Sequence, residues 1–250
     1  GLGIGNNVFQ WTVNNGPCPS GITSDQVSIF IFDQSAAAAN AGPDQQLCTP
    51  TTSTTLSGNA LIAPATGMWS LVSGSGVFAD ATSAVTGVTG LTVGLNVFSW
   101  SISNGPCGSS SDNVAIYLFD ENNLVADAGA DQALCTPNTG TTMAGSSVIF
   151  PATGAWTLVS GTGAIVDPSD PNTAVTGLSI GVTVFAWTVD NGPCASGITV
   201  DVMLVVVYDQ NEPSADAGPD QELCTPISSA TMAGSVPTFP ANGTWTLIGG

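Results

Sequence analysis

Leu95-Asn-Val-Phe-Ser-Trp-Ser-Ile-Ser103 reads with a period of two: Phe98, Trp100 and Ile102 fall on one face, and Val97, Ser99 and Ser101 on the other. Alternation of this kind marks a strand with one face in a core. The pattern returns downstream with Phe185, Trp187 and Val189. The strand after it offers Val114, Ile116 and Leu118, following a turn that carries Gly-Pro-Cys and several Ser. Trp69 and Leu71 alternate with Ser70 in an earlier strand, and Thr55-Leu56-Ser57-Gly58 forms a short one before that. No stretch carries a sustained helical period with caps. The chain is predicted to be all-β.

These strands belong to a unit that recurs. Ala41-Gly-Pro-Asp-Gln-Gln-Leu-Cys-Thr-Pro50 returns as AGADQALCTP at Ala128 to Pro137 and as AGPDQELCTP at Ala217 to Pro226. Asn-Gly-Pro-Cys ends at Cys18, Cys107 and Cys194, and Gly-x-Trp-(Ser/Thr)-Leu holds Trp69, Trp156 and Trp245. Cys48 to Cys135 spans 87 residues and Cys18 to Cys107 spans 89, so self-similarity at a fixed period marks a tandem array. Six or seven short strands per unit, separated by Gly, Pro, Asn and Ser, predict antiparallel β-sandwiches of immunoglobulin type, about 88 residues each, in an extended rod or filament. The expected division is residues 1–35 as the end of one repeat, 36–122 and 123–211 as complete repeats, and 212–250 as the start of another. On this reading the chain is a segment of a much longer polypeptide, its expected partners being the neighbouring repeats and other copies in a filament.

Composition narrows the function. Lys plus Arg is 0, His is 0 and Asp plus Glu is 18, for a formal charge of -18. Without cations the chain cannot neutralise phosphates, so nucleic-acid binding by counterion release is excluded, as is electrostatic docking on anionic lipid. There is no His or Lys base, Arg clamp or His ligand for zinc, so the chain is not expected to be an enzyme or to hold a cofactor other than calcium. Charged residues are only 7% and hydrophobic residues 43%, which is unlike a disordered acidic tail. No apolar run is long enough to insert in a membrane. Absent Lys and Arg also leave trypsin-like proteases no site, and uniform negative charge discourages side-by-side bundling.

The A-(N/D)-A-G-(P/A)-D-Q-x-L-C opening, the G-x-W-(S/T)-L middle and the V-F-x-W-(T/S)-(V/I)-x-N-G-P-C closing resemble PKD-like and Ig-like repeats. Repeats of that kind build very large surface adhesins and gliding-motility filaments of Bacteroidota exported by type IX secretion. The resemblance covers essentially the whole chain. It implies a secreted, extracellular cell-surface fibre of stalk or adhesive modules and supplies no catalytic residues.

Six Cys at two fixed places in the repeat, with no His and no CxxC, point to disulfides in an oxidising compartment. Two pairings respect the repeat. One joins Cys48 with Cys107 and Cys135 with Cys194; the other joins Cys18 with Cys48, Cys107 with Cys135 and Cys194 with Cys224. The first is the expected one, because the second requires a reach of about one strand length, ~30 Å.

Eleven acids, Asp33, Asp44, Asp120, Glu121, Asp127, Asp131, Asp209, Glu212, Asp216, Asp220 and Glu222, gather between the end of one sandwich and the start of the next. Ca²⁺ accepts six to eight oxygens in irregular geometry, so these residues are the candidate set for a junction calcium, against the plainer reading of a solvated linker. The six Trp read as core rather than as a sugar platform. Asp167 and Asp170, in Val-Asp-Pro-Ser-Asp-Pro, have the composition of a glycosidase pair but the setting of a turn, and Asn242-Gly-Thr is a lone glycosylation sequon. The expected function is a structural stalk projecting a distal binding or motility element. The alternative is a carbohydrate-binding module array, for which Phe30, Phe32, Tyr117, Phe119 and Tyr208 are the aromatics outside the inferred core face.

Overall fold

In the computed structural model, the stretch around Trp100 is the strand its alternation predicts: Gly94–Ser103, with Phe98, Trp100 and Ile102 buried. Residues 1–19, 21–122 and 125–249 are described. The expected repeat ends Asn123 and Gly250 lie outside them. One unit comprises Gly1–Asn122, Ile149–Pro151 and Asn191–Ala195, and a second comprises Asn123–Val148, Ala152–Asp190 and Ser196–Gly250.

The first unit opens with a hairpin, β1 (Gly5–Asn14) and β2 (Ile22–Ile31), and continues into β3 (Gln45–Cys48), β4 (Ser53–Ser57), β5 (Thr66–Ser73), β6 (Val77–Phe78), β7 (Val85–Thr89), β8 (Gly94–Ser103) and β9 (Ser109–Phe119). One sheet has the order β3-β9-β8-β5 and the other β4-β7-β6. The second unit repeats this with β10 (Gln132–Cys135), β11 (Thr141–Thr142), β12 (Thr153–Ser160), β13 (Ala164–Ile165), β14 (Ala174–Thr176), β15 (Gly181–Asp190) and β16 (Ile198–Tyr208). Its sheets are β10-β16-β15-β12 and β11-β14-β13. Both are all-β sandwiches, each of two sheets round one core. Among the described residues every strand pair is antiparallel except β3 with β9 and β10 with β16, which run parallel.

Each core is built round a pair of tryptophans. Trp69 of β5 lies opposite Trp100 of β8, and Trp156 of β12 opposite Trp187 of β15. The ring centroids are 5.1 Å apart in both pairs, within the range where tilted aromatic pairs attract. The G-x-W block follows from this packing. A Cβ on Gly67 would stand 2.4 Å from the Trp100 ring, and one on Gly154 would stand 2.3 Å from Trp187. Glycine two positions before the first tryptophan therefore leaves the slot that the second one fills.

The opening block clasps the first strand. In the first unit, Asp112 accepts the amide of Ala41 at 2.9 Å and Asp44 accepts that of Ala115 at 2.8 Å. Gln45 donates to the Thr55 carbonyl at 3.0 Å and accepts from the Thr54 hydroxyl, so its amide spans from one sheet to the other. Asp201, Asp131 and Gln132 make the same bonds in the second unit.

Two tryptophans depart from the expected burial. Trp11 of β1 is 75% exposed and Trp245 is 54% exposed. Trp11 lies opposite Asp25 in the same register that sets Trp100 opposite Asp112. The alternation of β1 is therefore in register, and its two-stranded sheet leaves Trp11 uncovered, whereas Trp245 lies in no assigned strand.

The two cores also differ at one polar atom. Trp187 donates its indole N–H to the Ser146 hydroxyl at 3.2 Å, and that oxygen also bonds the Val125 carbonyl and the Asp127 amide. Asn59 holds the equivalent position, bonding the Ala38 carbonyl and the Asn40 amide, and the buried Trp100 Nε1 is left without a partner. Asn59→Ser is expected to supply the missing acceptor and stabilise the first sandwich by about 1 kcal/mol, read as a raised Tm. Gly154→Ala is expected to cost about 3 kcal/mol by overpacking against Trp187, read by denaturant unfolding.

Candidate functional site

The parallel pairing of β3 with β9 places Cys48 beside Phe119, at the end of the last strand. Cys107 precedes β9 in the turn Gly105–Cys107, so the 11 residues of β9 separate the two sulfurs by roughly 35 Å. The expected Cys48–Cys107 bond is therefore not formed. Cys48 bonds Cys194 instead, with Cα atoms 5.4 Å apart and a sequence separation of 146. The expected Cys135–Cys194 bond is lost with it, and Cys18, Cys107, Cys135 and Cys224 are free and exposed. Cys194 sits in the Asn-Gly-Pro-Cys turn between β15 and β16, and the segment Asn191–Ala195 belongs to the first unit.

A polar and aromatic node surrounds the bond. Asn191, 2% exposed, donates its side-chain amide to the Asp120 carbonyl at 2.9 Å. Gly192 has φ +58, and a Cβ there would lie 2.6 Å from the ring of Phe119, which is 6% exposed. Both demands, the left-handed backbone and the close approach, call for glycine. The Thr49 amide donates to the Phe119 carbonyl at 3.0 Å, and the Glu121 amide donates to the Thr49 hydroxyl at 2.9 Å. Glu121 Oε2 accepts the Ala195 amide at 3.4 Å.

The same contacts occur earlier in the first unit. Asn104 donates to the Asp33 carbonyl at 2.7 Å, and a Cβ on Gly105, with φ +55, would meet Phe32 at 2.5 Å. The N-G-P-C turn is thus a cap that seats on the aromatic residue and aspartate ending the preceding repeat's last strand. The recurrence of this turn does not by itself connect it with Phe32, Asp33, Phe119 or Asp120. The signal was present: an aromatic residue followed by Asp closes each last strand, at Phe32-Asp33, Phe119-Asp120 and Tyr208-Asp209.

Most of the candidate calcium residues are engaged singly by amides. Asp33, Asp120, Asp127, Asp209 and Asp216 each accept the backbone N–H two residues on, at 2.8–3.0 Å. Asp44 and Asp131 hold strand amides as described, Glu212 accepts the Thr238 amide at 2.7 Å, and Asp220 is exposed. Among the described residues, one group brings three metal-ligating side chains together: Cys48, Glu121 and Cys194. Its sulfurs are spent in the disulfide and are not thiolate ligands. Asp167 and Asp170 each accept a turn amide, from Ser169 and Asn172, which is the turn setting their sequence shows. Of the aromatics considered for sugar stacking, Phe119 is buried, Phe32 lies under Gly105, Tyr117 packs edge-on against Phe150 at 6.4 Å, and Phe30 and Tyr208 are exposed.

No known protein family matches the chain, and no curated protein does. Among solved structures it is similar to the PKD domain from KIAA 1837 protein, at 30% identity over 38% of this chain and 96% of that one, with a TM-score of 0.32. It is also similar to the PKD domain of human KIAA0319, at 19% identity over 39% and 87%, TM-score 0.29. A third similarity is to the titin I-band fragment I67-I69, at 10% identity over 70% and 67%, TM-score 0.33.

Hydroxyl and amide donors from Ser35, Thr82 and Ser169 hold Asp33, Asp80 and Asp167 below the usual carboxylate range. A folded pKa below the unfolded value gives stability that is present above about pH 4 and is lost as pH falls through the folded value. Asp167→Asn keeps a neutral acceptor, so it is expected to lower the Tm slightly at pH 7. The difference from the unmodified chain should shrink as the pH falls below about 4, read in melts across the acid range.

Proposed function

We propose that this chain is a load-bearing structural segment of a large secreted surface protein, a stalk of tandem sandwiches that projects a distal binding or motility element. The observation that carries the proposal is the Cys48–Cys194 bond. It adds a second covalent connection between consecutive repeats, which the backbone already joins once between β9 and β10. A bond of this kind persists outside the reducing cytosol, which supports an extracellular location. No described helix is long and apolar enough to cross a membrane. With no Lys, Arg or His, the chain has few groups for acid–base catalysis, which favours a mechanical role over an enzymatic one. The motif resemblance to repeats of gliding-motility adhesins supports the finer reading, in which the whole protein is a Bacteroidota adhesin exported by type IX secretion.

Force should distinguish this role. Pulled by its ends, the oxidised chain can pay out only the residues outside the disulfide loop. Reduction should release the 146-residue span, roughly 500 Å of added contour length at full extension. Single-molecule stretching with and without reductant reads this directly. Equal contour lengths in the two conditions would remove the load path and the stalk reading with it.

A further inference from the structure

The bond between Cys48 and Cys194 has a half-built copy. Cys135 ends β10 in register with Tyr208, as Cys48 ends β3 in register with Phe119. The Thr136 amide donates to the Tyr208 carbonyl at 2.9 Å, the counterpart of Thr49 with Phe119. The Gln210 amide donates to the Thr136 hydroxyl at 2.9 Å, the counterpart of Glu121 with Thr49. What differs is the cover. Phe119, beneath Gly192, is 6% exposed, whereas Tyr208 is 37% exposed and Cys135 is free.

The complementary half is also present without its bond. Cys107 donates its amide to the Asn104 carbonyl, as Cys194 does to Asn191. Its turn already seats on Phe32 and Asp33, in the contacts that Asn191 and Gly192 make with Phe119 and Asp120. The seat is therefore made twice, and the sulfur is bonded in the copy where a C-T-P cysteine stands beside it.

We propose that the face formed by Cys135, Thr136, Tyr208 and Asp209 is a covalent docking site for the Asn-Gly-Pro-Cys turn of a following sandwich of the same chain, so that the disulfide recurs from each repeat to the next. It rests on the stalk reading only in taking a further repeat as the partner. The chemistry is thiol–disulfide exchange with a small disulfide such as oxidised glutathione. The Cys135 thiolate displaces one glutathione thiolate. The turn cysteine then attacks the mixed disulfide and displaces the second. Two protein thiols are oxidised, and one glutathione disulfide is reduced to two glutathiones.

The test appends a second copy of residues 162–211 after Gly250, completing the third repeat, and folds the chain in a glutathione redox buffer. Alkylation followed by non-reducing chymotryptic mapping then reads the cysteines. The present chain should take four alkyl groups, on Cys18, Cys107, Cys135 and Cys224. The extended chain should take three, with Cys135 linked to the added turn cysteine and Cys48 still linked to Cys194. The linked product should migrate as a monomer. A Cys135→Ser version, followed by hydrogen exchange of the added strands, separates a missing bond from a missing fold. Protected strands with Cys135 still free in the parent overturn the proposal, as does Cys135 left free beside unprotected strands. A link found only in dimers overturns the same-chain source. In each of these cases an intact Cys48–Cys194 bond leaves the stalk reading standing, whereas its absence removes both.

Discussion

The parallel pairing of the first strand with the last is the constraint on which the functional features depend. A hairpin neighbour would have left Cys48 at the end where its own sandwich begins. Laid parallel to β9, the four residues Gln45–Cys48 carry the sulfur to the end where the sandwich finishes. The pairing is held from both sides: Asp44 and Asp112 grip the backbone that enters and flanks it, and Gln45 reaches across to the other sheet. The thiol beside Phe119 is consequently held by a hydrogen-bond framework before it meets a partner.

Lacking any cation, the chain cannot use salt bridges to place its carboxylates. Backbone amides and hydroxyls take that part instead. Asp44, Asp112, Asp131 and Asp201 each accept a strand amide, and Asp80 and Asp167 organise the turns Asp80–Ser83 and Asp167–Asp170. Such bonds leave the formal charge of -18 uncompensated, so neighbouring molecules of this composition repel one another over the screening length of the surrounding salt.

Much of this was legible in the residues. Alternation at Phe98, Trp100 and Ile102 identified a core strand, and the repeated blocks showed which strands would recur. The G-x-W block was visible as a motif, although its reason, a slot for a tryptophan from the neighbouring strand, requires the register between β5 and β8. The cysteine pairing was not legible, because spacing along a chain does not report strand direction. The expected Cys48–Cys107 pairing put the partner at the wrong end of β9. Trp11 shows a similar limit: alternation says which face is apolar and does not say whether a sheet covers it.

The Cys48–Cys194 bond also changes what damage can do. In an open chain of beads, one backbone cut separates everything beyond it. Here a cut anywhere from Thr49 to Pro193 leaves both fragments joined through sulfur, including cuts in the exposed turns at Asp80 and Asp167 and in the segment that leads into β10. After such a nick, losing the distal part requires breaking the disulfide itself, since a second cut in the loop frees only the piece between the two cuts. The redundancy is topological, so it tolerates a nick without any gain in the folding stability of either sandwich.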